Sequence, residues 1–157
     1  MLRSDYASQN CSVARALEVV GERWTLLIVR ELLYKARRFS SLERRLPIAK
    51  NVLTSRLEKL VALGIVEKAN PDATFGSAYQ LTSKGAELFP VISALTTWGD
   101  AHLAPHGPPV VFEHICGHVA GHKLVCEVCG EAVSHLTTRG LAGPGWMDEA
   151  PTKPHRS

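Results

Sequence analysis

Several things are missing from this chain, and each absence narrows what it can be. No apolar run among its 157 residues is long enough to span a bilayer. Its start, MLRSDYASQN, has no apolar stretch of the kind a secretory leader needs, so a cytoplasmic chain with no membrane partner is expected. Cysteine is scarce, at four: Cys11, Cys116, Cys126 and Cys129. In a cytosolic chain such residues serve more often as metal ligands or redox thiols than as structural disulfides. There is no GxGxxG or Walker pattern. Neither HExxH nor a nucleophile elbow around Ser40 or Ser41 occurs. The HxE that would complete a deaminase signature with the later CxxC is absent too. No catalytic arrangement is left, and the chain is not expected to be an enzyme. No internal repeat is evident. The net charge of +3 neither establishes nor excludes a nucleic-acid partner.

What is present is concentrated between Phe39 and Gly85. A short helix over residues 40–45 is interrupted by Pro47, and a longer one covers residues 49–63 and stops at Gly64. Two β-prone runs follow, residues 65–68 and 78–81, separated by the turn-rich Asn70-Pro71-Asp72 and Phe75-Gly76-Ser77. Two helices at a sharp turn followed by a hairpin is the order of a winged helix-turn-helix, whose second helix enters a DNA major groove. On the longer helix Leu53, Leu57 and Leu60 form one buried stripe. Lys50, Asn51, Thr54, Ser55 and Glu58 repeat on the opposite face. Short hydrogen-bonding side chains there let the backbone approach base edges, and Lys50 can meet a guanine edge or a phosphate. Arg44, Arg45, Arg56 and Lys59 are expected at phosphates on either side, with Lys68 on the wing. Lys35, Arg37 and Arg38 add to the same basic footprint. An amphipathic helix with a solvated face would look similar in isolation; the proline break and the hairpin favour double-stranded DNA.

The flanking segments supply the scaffold. Residues 1–10 read as a loose arm. Ser12 can cap a helix to Val20 with an apolar face of Val13, Ala16, Leu17 and Val20, ended by Gly21. WTLLIVRELLY, residues 24–34, is apolar almost all round and reads as a central buried helix. Residues 35–38 read as a basic turn. Thr82 can cap a helix through about His102, kinked or broken at Pro90. Its stripe of Leu88, Val91, Ile92, Leu95 and Trp98 needs a surface to cover, either a second subunit or the chain's own first helix.

APHGPP, residues 104–109, reads as a linker. Beyond it the composition changes, bringing three of the four cysteines together with His114, His118, His122 and His135. Two short β-prone runs, residues 110–114 and 122–125, flank a Gly-rich turn. CEVCG, residues 126–130, is a knuckle whose two thiolates can grip one edge of a tetrahedral ion. Cys116 with His118 or His114 would complete a structural zinc site; metal-free thiols are the other reading. A thioredoxin-like use of the CxxC lacks the surrounding βαβ pattern. Residues 137–157, rich in Gly, Pro and charge, read as a flexible tail.

Taken together, CSVARALEVVGERWTLLIVRELL, RRFSSLERRLPIAKNVLTSRLEKLVALGIVEK and YQLTSKG resemble the HxlR family of bacterial winged-helix transcriptional regulators, relatives of the MarR type. The resemblance covers roughly residues 11–102 and implies a cytoplasmic homodimer that binds a pseudo-palindromic operator and usually represses. The N- and C-terminal helices would build its dimer interface. It also implies an effector, because some such regulators sense oxidants or electrophiles through a cysteine placed like Cys11. Cys11 starts the first helix, where an anion is favoured, and Arg15 lies one turn on; a small core residue is the plainer alternative. The expected fold is mainly α with a small β wing: a winged helix-turn-helix over residues 1–103 and a Cys/His-rich β-hairpin appendage over 104–136. The rival functions are a zinc-binding protein- or RNA-interaction module and a thiol-redox protein using the CxxC.

Overall fold

The computed structural model describes residues 6, 9–69, 77–121 and 123–146. The chain forms two compact units, Met1–Pro109 and Val110–Ser157. No helix among the described residues is long and apolar enough to cross a membrane.

The first unit runs α1 (Ser12–Val20), α2 (Thr25–Leu32), β1 (Arg37–Arg38), α3 (Phe39–Arg45), α4 (Lys50–Ala62), β2 (Val66–Ala69), β3 (Ala78–Leu81), α5 (Ser83–Ala86) and α6 (Phe89–Leu103). Its core is where the stripes of α2, α3 and α4 meet: Ile28, Val29 and Leu32, then Leu42 and Leu46, then Leu53, Leu57 and Leu60, closed by Ile65 and Val66. Each of these side chains loses nearly all its contact with water, worth roughly 1.5–3 kcal/mol apiece. The α4 helix ends in a Schellman turn. Gly64 adopts φ +66°, the Ile65 N–H donates to the Leu60 carbonyl at 3.0 Å, and the Gly64 N–H donates to Val61 at 3.0 Å.

Four expectations change. Cys11, not Ser12, occupies the N-cap of α1, with extended backbone and no side-chain cap. The basic turn at 35–38 contains a strand: Arg37 pairs with Tyr79 and Arg38 with Ala78, giving an antiparallel sheet in the order β1-β3-β2. The buried helix at 24–34 is shorter than its apolar run, and Tyr34 lies 64% exposed beyond its end. Thr82 caps the four-residue α5 rather than a long helix, and the chain breaks before α6, with Pro90 in the first turn of α6 where its missing N–H costs nothing.

That break follows from the way α5 seats on the end of α4. The Thr82 hydroxyl donates to the Gly64 carbonyl at 2.6 Å and accepts from the Gly85 N–H at 3.1 Å. The Lys84 ammonium donates to the Leu63 carbonyl at 2.9 Å. Gly85 is buried against Ile65, where a Cβ would lie 2.1 Å from the carbonyl oxygen.

Among the described residues of the second unit, the two β-prone runs do not pair with each other. Each folds back on the residues that follow it, through single bridges Glu113↔Val119 and Val125↔Ala132. Among its described residues only Cys126 and Val133 are even half-buried. Of the expected arm, Tyr6 donates its N–H to Glu18 at 2.6 Å. Most of the arm, the wing tip at 70–76, His122 and residues 147–157 of the expected tail lie outside the described residues.

Candidate nucleic-acid interface

The core geometry fixes which way α4 faces. With Leu53, Leu57 and Leu60 turned inward, Lys50, Asn51, Thr54, Ser55 and Glu58 are all exposed. Thr54 returns its hydroxyl to the Lys50 carbonyl at 3.0 Å, so it presents mainly a methyl and an oxygen outward. Arg44 at the end of α3 and Lys68 on β2 are exposed as well. The wing strands are held in register, Glu67 against Gln80 and Lys68 against Tyr79, with a Gln80 to Glu67 side-chain hydrogen bond of 2.7 Å.

The remaining expected phosphate contacts have partners inside the protein. Arg56 pairs with Glu22, and Lys59 reaches the same carboxylate at 3.1 Å. Arg56 lies on the flank of α4 next to the leucine stripe, and its side chain is only 25% exposed. Arg45 pairs with Glu31 through its Nε, and its side chain stays 52% exposed.

Glu22 and Glu31 are the residues that sequence reasoning passed over. Glu31 is buried on α2 and is surrounded by cations: Arg30 at 3.1 Å, Arg37 at 3.3 Å, and Arg45. Arg37 also donates to its backbone carbonyl. Burial pushes the Glu31 carboxyl upward, but the hydrogen bonds and charges of Arg45 and Arg30 outweigh it and leave the group below its ordinary value. The only acid in a mainly apolar helix was the available signal, since a buried charge requires partners. Through Glu31, α2 holds both β1 and the end of α3, and so sets the platform beside α4.

On α6 no residue is buried, and Val91, Leu95 and Trp98 of the expected stripe are 42%, 50% and 56% exposed. Leu88 and Ile92 are half-buried. Cys11 is exposed, and Arg15 one turn on donates to the Asn10 side chain at 3.0 Å.

In the second unit His114 Nδ1 lies 3.0 Å from the Cys116 sulfur, whereas His118 Nδ1 lies 3.1 Å from the Cys116 carbonyl oxygen. Backbone N–H groups of Cys129 and Val128, then the Cys129 thiol, hold the Cys126 thiol below its usual range against a small opposing effect of burial. Among the described residues no three His, Cys, Asp or Glu side chains gather closely enough to share an ion.

Residues 19–107 match the model of the HxlR-like helix-turn-helix family. The chain belongs to that family. An HTH-type transcriptional regulator of Mycobacterium tuberculosis is 43% identical over 141 residues, 86% of this chain and 87% of its own. That stretch is longer than the first unit, so the likeness runs into the second. The candidate transcription factor PA1607 superposes with a TM-score of 0.77 at 32% identity, over 85% of this chain and 95% of its own. The redox regulator HypR in its reduced form superposes at 0.55 with 28% identity, over 58% of this chain and 92% of its own. This HxlR-type chain is thus a transcriptional regulator with a helix-turn-helix DNA-binding domain.

Proposed function

We propose that the chain acts as a homodimeric repressor, reading a pseudo-palindromic operator with α4 and responding to oxidants or electrophiles through Cys11. The observation that carries the reading is the orientation of α4. Its leucine stripe is locked in the core, which presents Lys50, Asn51, Thr54 and Ser55 outward as a short-chained polar face. Arg44, Arg45 and Lys68 flank that face and position it on the backbone by charge. Arg56 and Lys59 act chiefly by tying α4 to Glu22 and contribute less to phosphate binding.

The unpartnered face of α6 supports a second subunit as its cover, because exposed Val91, Leu95 and Trp98 form a patch that water disfavours. Two α4 helices related by a twofold axis would read two half-sites about one helical turn apart. Cys11 is favoured as the responsive thiol by its exposure at the start of α1 and by the likeness to a redox regulator. The test is binding to a selected operator and to random DNA across a salt series. Asn51→Ala should relax base preference, losing roughly 1–3 kcal/mol at the contacted position. Arg44→Ala should weaken both DNAs alike and flatten the salt slope. Parent-like behaviour of both variants would refute this placement of the DNA.

A further inference from the structure

The two hairpins of the second unit share one pattern of closing hydrogen bonds, the second turn being one residue longer. In the first, the His114 N–H donates to the His118 carbonyl at 2.8 Å, and the Gly117 N–H donates back to the His114 carbonyl at 2.8 Å. In the second, the Cys126 N–H donates to Glu131 at 2.8 Å, and the Gly130 N–H donates to Cys126 at 2.7 Å. The residue before each first member makes the bridge, Glu113 to Val119 and Val125 to Ala132. The glycine that closes each turn has positive φ, +82° at Gly117 and +74° at Gly130. A cysteine precedes each glycine. His114 therefore stands in the first turn where Cys126 stands in the second, and Cys116 stands where Cys129 does. His118 corresponds to Glu131, a position that in the second hairpin carries no sulfur or imidazole.

We propose that the two hairpins close on a single zinc ion held by His114, Cys116, Cys126 and Cys129. Each turn presents a pair of donors: His114 Nδ1 and the Cys116 sulfur stand 3.0 Å apart, and Cys126 and Cys129 lie in one turn closed by the Gly130 N–H on the Cys126 carbonyl. Three thiolates and one imidazole are a usual tetrahedral set for Zn²⁺, and soft sulfur donors disfavour Mg²⁺ and Ca²⁺. Among the described residues no three such side chains are gathered, so sharing one ion requires the two pairs to approach each other. The unit needs that staple. Ile115 and Val128, the apolar residues at the turn tips, are 99% and 95% exposed, so they supply no core. His118 is set aside by its place in the turn, where the second hairpin carries Glu131; its Nδ1 faces the Cys116 carbonyl and its Nε2 stays open, so the variants below decide between the two histidines.

The full-length chain, expressed with zinc in the medium, should carry about one zinc per chain by elemental analysis. His114→Ala and Cys126→Ser should each lose most of it, while His118→Ala keeps it. Cobalt added to the chelator-stripped parent should give the visible bands of a tetrahedral thiolate complex, weakened in Cys116→Ser. This second measurement needs only the parent if a variant is insoluble. Parent protein without metal and without a cobalt spectrum would overturn the proposal, as would bound iron in place of zinc. Zinc lost from His118→Ala but retained by His114→Ala would overturn the ligand assignment.

Discussion

Replacing Glu31 by Gln probes the junction on which the DNA-binding platform rests. The substitution keeps the side-chain volume and one acceptor oxygen but removes the charge that three arginines share. Arg37 is the least solvated of them, at 13% exposure; its hydrogen bond to the Glu31 backbone carbonyl survives the substitution, but its ion pair with the carboxylate is lost, and a charged contact this shielded is worth roughly 1.5–3 kcal/mol. Arg30 and Arg45 are 47% and 52% exposed, and pairs that open contribute about 0–1 kcal/mol each. With one neutral hydrogen bond retained, the net loss should be about 2 kcal/mol. Urea unfolding at neutral pH should show it as a lower midpoint with an unchanged slope. The effect must also depend on pH in one direction. The folded-state carboxyl lies below its ordinary 4.5, so near and below that pH the unfolded chain binds more protons. The stabilisation is therefore complete above 4.5 and fades as pH falls through the lower folded value. The gap between parent and variant should be widest near neutrality and narrow in acid. Equal midpoints at neutral pH, or a gap that stays constant into acid, would refute the reasoning.

Gly85→Ala should destabilise by the upper part of the roughly 1–3 kcal/mol typical of overpacking, because its Cβ would meet the Ile65 carbonyl at 2.1 Å; a thermal midpoint equal to the parent's would mean that α5 yields freely. Leu95→Asp or Trp98→Asp should give monomers or insoluble protein by placing a charge on the exposed apolar face proposed to meet a second subunit. Sedimentation decides it, and a stable dimer of both variants would move the interface elsewhere. Mild oxidant or quinone should change the DNA affinity of the parent and leave Cys11→Ser unaffected; an equal response in both would remove Cys11 as the sensor.

The helix-turn-helix was legible in the sequence because its signals are local. Leu53, Leu57 and Leu60 repeat at the helical period, Pro47 interrupts, and Gly64 stops α4 by taking φ +66°. That pattern alone determined which face of α4 turns outward. The CxxCG knuckle was legible for the same reason, since its two thiols lie a few residues apart. What tertiary structure decided lies between residues distant in the chain. The two-residue strand β1 has no periodicity to reveal it and exists because β3 offers it an edge. Glu31 draws in Arg45, fourteen positions away, and Glu22 takes Arg56 and Lys59 across a longer separation. Those pairings change which basic residues remain for DNA, and no local spacing records them. The break between α5 and α6 is of the same kind: Pro90 marked it, but the tight seat of Gly85 on Ile65 set where it falls. Periodicity tells a segment which face to bury, whereas the identity of its distant partner depends on how the buried faces come together.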